Sequence, residues 1–294
     1  MSRLSEKIAD YIELVKFEHT IFALPFALSA MLLATPEGIW PPWQVVLWVV
    51  LAMVGGRTYA MGLNRLIDAR IDGQNPRTQN RAIPAGRVHS AEAWRLVVVS
   101  ALLLCFAAWQ LPVICRQLLP VAFLILTIYS YMKLLSPLAH LVLGLALGSS
   151  AVGGWLAVTG QLTWLPVVFG LAVVFWVAGF DIIYACQDYG FDRQAGLKSI
   201  PVALGLRGAL AISRVFHGLT VALLLIFALM RGAGIFFFTA IALTAGMLVY
   251  EYWLIRGDSQ TPLRLEKVNE AFFTINGRIS MLVFVLVLLD KLLG

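Results

Sequence analysis

Long apolar stretches recur along the chain, separated by short polar intervals. A helix needs roughly 20 mostly apolar residues to cross the hydrocarbon core of a bilayer. By that measure the pattern predicts about nine spanning helices, near 17–35, 43–66, 92–110, 113–133, 137–158, 163–188, 209–230, 233–256 and 271–293. Three connections are tight and marked by breakers: Pro36, Pro41 and Pro42 after the first span, Gly160 after the fifth, Gly232 and Gly234 after the seventh. Others, near 67–91, 189–208 and 257–270, are longer and polar. Ahead of the first span, Ile8, Ile12 and Val15 recur at helical spacing among Arg3, Glu6, Lys7, Asp10 and Glu13. That pattern predicts an amphipathic helix lying on the membrane surface, and it does not read as a cleaved signal peptide. The expected fold is an all-α, polytopic membrane bundle.

Composition agrees and adds a direction. Of 294 residues, 60% are hydrophobic and only 13% charged, and mean hydropathy is +0.85. A soluble domain carries about 25% charged residues, so a soluble protein is excluded. The net charge of +6 is scattered through short loops rather than gathered into a patch, which argues against a nucleic-acid partner. Its distribution instead sets topology. Arg3, Lys7, Lys16, Arg70, Arg77, Arg81, Arg87, Lys133, Arg193, Lys198, Arg207, Arg256, Arg264 and Lys267 all fall on one side of a nine-span chain. The other side holds little beyond Arg116 and Arg231. The positive-inside rule makes the basic side cytoplasmic and puts the C-terminus outside. Cys105, Cys115 and Cys186 have neither metal-ligand spacing nor an even count, and read as free thiols.

Two acidic motifs carry the chemistry. The first is Asn64-Arg-Leu-Ile-Asp68-Ala-Arg-Ile-Asp72. Residues four apart on an α-helix rotate only about 40° per step, so these three side chains share a face. The second, Asp181-Ile-Ile-Tyr184-Ala-Cys-Gln187-Asp188-Tyr-Gly-Phe-Asp192, follows the same helical logic. Carboxylates on membrane helices are costly unless paired with or bound to a cation. Hard oxygen ligands suit Mg²⁺, which typically takes a carboxylate or two together with phosphate oxygens. Bases that can clamp a phosphate stand nearby: Arg77, Arg81 and Arg87 in the first loop, Arg193 and Lys198 in the second, Lys133 at a third helix end. A single Asp-x-x-x-Asp can simply end a helix and pair with an arginine. Two of them, each followed by a basic loop on the same side, point to a metal-bridged diphosphate. Asp68, Asp72, Ile83 and Pro84 are echoed by Asp188, Asp192, Ile200 and Pro201, which suggests two related halves, roughly 1–133 and 134–294.

These motifs, with Arg77-Thr-Gln-Asn-Arg81-Ala-Ile-Pro84-Ala-Gly86-Arg87, Tyr129-Ser-Tyr131-Met-Lys133 and Gly196-Leu-Lys198-Ser199-Ile-Pro201, resemble the UbiA superfamily of intramembrane prenyltransferases over nearly the whole chain. Within it, the second motif looks most like the 4-hydroxybenzoate polyprenyltransferase branch. The resemblance implies an enzyme of the bacterial plasma membrane that joins a polyprenyl diphosphate to an aromatic acid in quinone biosynthesis. It implies that Asn64, Asp68, Asp72, Asp188 and Asp192 hold Mg²⁺. Arg77, Arg81, Lys133, Lys198 and Arg193 would face the diphosphate, and Asp68 and Asp188 would be catalytic. Asp181, with Tyr184 beside it, would orient or deprotonate the acceptor hydroxyl, a structural hydrogen bond being the alternative. The tail would lie between helices, with Phe22, Phe26, Tyr129 or Trp176 shielding the allylic cation.

Weaker candidates for the acceptor are Lys16, His19 and Arg57, each of which also reads as snorkelling, interfacial or structurally paired. Arg278 likewise falls inside a span, where a buried charge implies a partner. The segment Lys16-Phe-Glu-His19-Thr-Ile-Phe-Ala-Leu-Pro25 departs from the run associated with hydroxybenzoate enzymes, which leaves a 1,4-dihydroxy-6-naphthoate acceptor open. A secondary transporter would place its acids near the bilayer midplane; these cluster at one face.

Overall fold

The computed structural model describes residues 3–15, 20–258 and 262–293. Its helices are α1 (Arg3–Val15), α2 (Thr20–Ala34), α3 (Trp43–Asp72), α4 (Ser90–Trp109), α5 (Val113–Gln117), α6 (Leu119–Leu135), α7 (Ala139–Thr159), α8 (Trp164–Ala185), α9 (Tyr189–Gln194), α10 (Ile200–Arg231), α11 (Ile235–Leu254), α12 (Leu265–Asn269) and α13 (Asn276–Leu293). A 3₁₀ turn, Cys186–Asp188, extends α8, and a π turn, Glu270–Ile275, joins α12 to α13. Among the described residues, seven segments are long and apolar enough to cross a membrane, and Phe22–Ala34 and Leu119–Leu135 are shorter apolar helices. They stand where the apolar pattern placed nine spans.

The differences are local and have causes. Pro120 stands in the first turn of α6, so the expected fourth span divides into α5 and α6. The seventh span starts at Ile200 instead of about 209, because Ser199 Oγ caps the helix by accepting from the Val202 N–H at 3.3 Å. Gly205, at φ 70°, then breaks the helix, a conformation glycine adopts without a Cβ clash. That break hid the first turn from the apolar periodicity.

Helix α8 is the centre of the bundle. It packs between α7 and α10, while α2 joins α7 to α13, and α11 packs on α13. Phe22, Phe26, Phe169, Trp176, Phe180, Phe227 and Phe237 fill the space among these helices. In the other half, α3 packs on α4 and α6, and α6 on α7. Trp40, Trp43, Trp109 and Trp164 are exposed at one end of the bundle, and Trp94, Tyr131, Tyr250 and Trp253 at the other, as interfacial aromatic belts require.

The amphipathic N-terminal helix is present and has a protein partner. Leu14 is buried against Ala82, Val88 and Ala93. Lys7 Nζ lies 3.0 Å from Glu92 Oε2, and Arg87 pairs with Asp10 and Glu13. These carboxylates hold the Arg87 guanidinium above its ordinary pKa. Helix α1 is thereby clamped to the loop that follows α3.

Candidate active site

The ends of α3, α6 and α8 meet at one end of the bundle, and their loops tie them together. On α3, Asn64 Nδ2 donates to Asp68 Oδ2 at 3.0 Å, one turn apart as the helical spacing requires. Lys133, in the last turn of α6, places Nζ 2.7 Å from the same oxygen. Asp72, a turn further on, is held by Arg81 Nη1 at 2.7 Å from both carboxylate oxygens and by Arg65 Nη1 at 3.8 Å.

The loop after α3 folds back by local bonds. Thr78 Oγ1 donates to Asp72 O at 3.0 Å, and the Arg77 N–H donates to Asn75 Oδ1 at 2.9 Å. This Asx-type turn aims two side chains at the second motif. Asn75 Nδ2 reaches Asp188 Oδ1 at 3.2 Å, and Arg77 Nε reaches it at 2.7 Å. Arg77 Nη2 also bonds Asp188 Oδ2, which makes the pair bidentate. Arg77 Nη1 donates to the Tyr184 hydroxyl at 2.9 Å, and the guanidinium lies 5.1 Å from that ring's centroid. Burial works against the Arg77 charge, but the bonds to Asp188 and Tyr184 outweigh it and raise its pKa. Tyr184 is backed by Phe272, from the π turn, at 4.2 Å between centroids.

The remaining candidates are placed as follows. Asp192 lies within electrostatic range of Asp188, Lys133 and Arg77. The Lys198 N–H donates to Lys133 O at 2.7 Å and its Nζ to Leu135 O at 3.0 Å, so this lysine caps the end of α6. Arg193 is exposed on α9. Arg57 lies deeper on α3 and lines an apolar cavity; Arg278 is exposed, so the expected burial does not occur. Lys16 and His19 lie outside the described residues. Asp181 is bonded to His140 Nδ1 at 2.7 Å.

That cavity, about 560 Å³, lies between α3, α6, α7 and α8 and runs from Arg57 and Tyr129 toward Cys115 and Leu162. Its walls are almost wholly apolar, among them Val50, Leu104, Ile125, Leu126, Leu147 and Val174. Phe22, Phe26 and Trp176, considered above as cation shields, are instead core: each is at most 3% exposed, and Trp176 Nε1 donates to Asn276 Oδ1 at 2.9 Å. Tyr129 does line the cavity.

Whether the residues suit a divalent cation can be tested on Asp68. Its Oδ2 accepts from Asn64 and Lys133, yet Oδ1 is buried with no hydrogen-bond partner among the described residues. Leaving a buried carboxylate oxygen unmatched costs about 1–3 kcal/mol. A cation answers that cost, and the surrounding donor set of Asp68, Asp72, Asp188, Asp192 and the Asn64 amide is all oxygen. Among the described residues, no three acidic, histidine or cysteine side chains converge tightly enough to hold an ion unaided. The acids are paired off with bases instead, which suits an ion shared with substrate phosphates.

The family model described as the UbiA prenyltransferase family matches residues 23–276. The chain belongs to the UbiA prenyltransferase family. It is a membrane-embedded prenyltransferase. The 4-hydroxybenzoate octaprenyltransferase of Tolumonas auensis is 29% identical over 259 residues, 87% of this chain and 90% of that protein. The Vibrio vulnificus protein of the same name is 31% identical over 258 residues, 85% of this chain and 88% of that one. A UbiA homologue from Aeropyrum pernix K1 superposes with a TM-score of 0.82 at 34% identity, covering 93% of this chain and 98% of that one. A homologue from Archaeoglobus fulgidus, bound to DMAPP and Mg²⁺, superposes at 0.77 with 22% identity, over 97% of this chain and 100% of that one. At that identity the likeness speaks to the fold.

Two residues of the site escaped sequence reasoning. Asn75 sits beside Pro76 in a stretch that reads only as a turn, and its partner Asp188 is 113 positions away. His140 follows a Ser-Pro breaker at a helix start and pairs across 41 positions. Neither leaves a periodic signal.

Proposed function

We propose that this prenyltransferase moves a polyprenyl group from its diphosphate to the ring carbon ortho to the hydroxyl of 4-hydroxybenzoate, with Mg²⁺, at the cytoplasmic face of a bacterial inner membrane. The observation that carries the reading is an acid–base cluster near an apolar cavity, whose Tyr129 lies within electrostatic range of Asp68 and Asp181: a charged diphosphate and a hydrocarbon tail need those two environments side by side. The names of the relatives support the acceptor, and the loop charges support the cytoplasmic side.

Asn64, Asp68, Asp72, Asp188 and Asp192 would hold the metal. Bound there with substrate, Mg²⁺ supplies Lewis-acid neutralisation of the departing diphosphate. The chain's bases do the rest of that work: Arg77, Arg81 and Lys133, now held by Asp188, Asp72 and Asp68, exchange carboxylate for phosphate oxygens and stabilise charge as it develops. Lys198 and Arg193 would add positive charge that attracts the anion. The cavity walls exclude water from the allylic cation, and Tyr129 lies against it. The C–O bond to diphosphate breaks first, its electron pair leaving with the diphosphate, and a π pair of the ring then forms the bond to the allylic carbon. Asp181 accepts the hydroxyl proton, giving a neutral dienone. That proton returns to oxygen when the ring C–H proton is released to diphosphate and aromaticity is restored. Arg57, at the cavity's polar end, would meet the acceptor carboxylate. The paired motif loops also support two related halves.

The test is prenyl transfer by the purified protein with Mg²⁺ and a polyprenyl diphosphate, with 4-hydroxybenzoate and 1,4-dihydroxy-6-naphthoate offered in parallel. Product with 4-hydroxybenzoate is expected. Product only with the naphthoate would move the acceptor, and no product with either would overturn the aromatic-acceptor reading.

A further inference from the structure

We infer that His140 is a positioning residue for this reaction: it holds Asp181 so that one carboxylate oxygen stays available to the acceptor hydroxyl. The inference rests on the role given to Asp181 above and adds a residue that neither motif contains.

His140 lies in the first turn of α7, only 3% exposed. Nδ1 is 2.7 Å from Asp181 Oδ2, and Nε2 is 3.4 Å from the backbone nitrogen of Ile200. A backbone N–H can only donate, so Nε2 accepts. In a neutral imidazole the proton then sits on Nδ1 and is donated to Asp181. Both ring nitrogens are in use and the tautomer is set by the fold. Oδ2 of Asp181 is thereby occupied, while the side chain keeps 20% of its surface open. A carboxylate anchored through one oxygen has its orientation restricted, and presents the other in one direction. Such orientation is what an acceptor that must meet a short-lived cation requires.

The second bond gives His140 a wider reach. Ile200 opens α10, and its N–H is one of the first-turn donors that have no partner within the helix. Two residues earlier, the Lys198 N–H is bonded to Lys133 O, and Lys133 is the base on Asp68. The turn 198–200 is therefore pinned to the diphosphate side at one end and to His140 at the other. His140 joins α7, α8 and α10 at the point where the two halves of the reaction meet.

A purely structural histidine would make the same contacts, so the test must separate transfer from integrity. Two variants do this. H140N keeps an amide donor near the position of Nδ1, and H140L keeps volume without a donor. Product and released diphosphate are measured together, with Mg²⁺, a polyprenyl diphosphate and 4-hydroxybenzoate. For H140L we expect product to fall at least tenfold, diphosphate release to persist with prenyl alcohol as its partner, and KM for the diphosphate to stay within twofold. H140N should recover most of the product. In a D181N background, H140L should add little further loss. The proposal is overturned if H140L matches wild type. It also fails if H140L loses product and diphosphate release in parallel, or if H140N is no better than H140L. A wild-type protein that transfers to no aromatic acceptor would overturn the parent reading, and this one with it.

Discussion

Asp68 is 3% exposed, with one oxygen bonded twice and the other, among the described residues, not at all. An oxygen left unmatched in a low-dielectric interior is tolerated where something else fills the place when the protein works. Replacing it with the isosteric Asp68→Asn keeps the shape and removes the charge. Product formation should fall about 100-fold or more, the scale of losing one well-placed electrostatic contact, while gel filtration in detergent shows an intact protein. Chelation of divalent ions should do the same to wild type, with Mg²⁺ restoring it; activity surviving chelation would remove the metal from the scheme. Arg77 makes a different point. Its fork spans both oxygens of Asp188 and also reaches Tyr184, which a lysine's single ammonium cannot reproduce. Arg77→Lys should cost about tenfold in kcat/KM for the diphosphate, equivalent to about 1.4 kcal/mol.

At the scale of elements, close approach decides the architecture. A Cβ on Gly148 of α7 would lie 2.6 Å from Gly170 O on α8. Backbone cannot yield as a flexible side chain can, so Gly148→Ala should separate the helices at a cost of about 1–3 kcal/mol. A lower aggregation temperature in detergent would show it. An unchanged temperature would mean that α7 and α8 are not in this register. Helix α1 works through a smaller contact. Leu14 is 2% exposed in a small cluster with Ala82 and Val88, and Leu14→Ala should cost about 2 kcal/mol. The loop over 73–89 should then be cut faster by added protease, because α1 is what covers it.

Over the whole molecule, the two halves of the bundle do different work. The half around α8, α10, α11 and α13 is filled with aromatic side chains, and the half around α3, α6 and α7 encloses the apolar cavity. Gly153 lines that cavity, and a Cβ there would meet nothing within 4 Å. Gly153→Phe should therefore fold and shorten the space for a tail. In competition, it should favour dimethylallyl diphosphate over a long polyprenyl diphosphate at least several-fold relative to wild type. No change in preference would place the tail elsewhere.

Spanning helices and both acidic motifs were legible in the one-dimensional pattern. Helical periodicity places residues four apart on one face, and the bilayer demands apolar runs of a set length; both are local constraints, written locally. Asn64, Asp68 and Asp72, and likewise Asp181, Tyr184 and Asp188, needed nothing more to be singled out. What only the tertiary structure decided is which base faces which acid: Lys133 on Asp68, Arg81 on Asp72, Arg77 on Asp188, His140 on Asp181. It also decided that Trp176 is core and that Lys198 caps α6. These pairings join helix and loop residues 9 to 111 positions apart. Such separations are set by how helices pack and loops fold back, and no local periodicity encodes them.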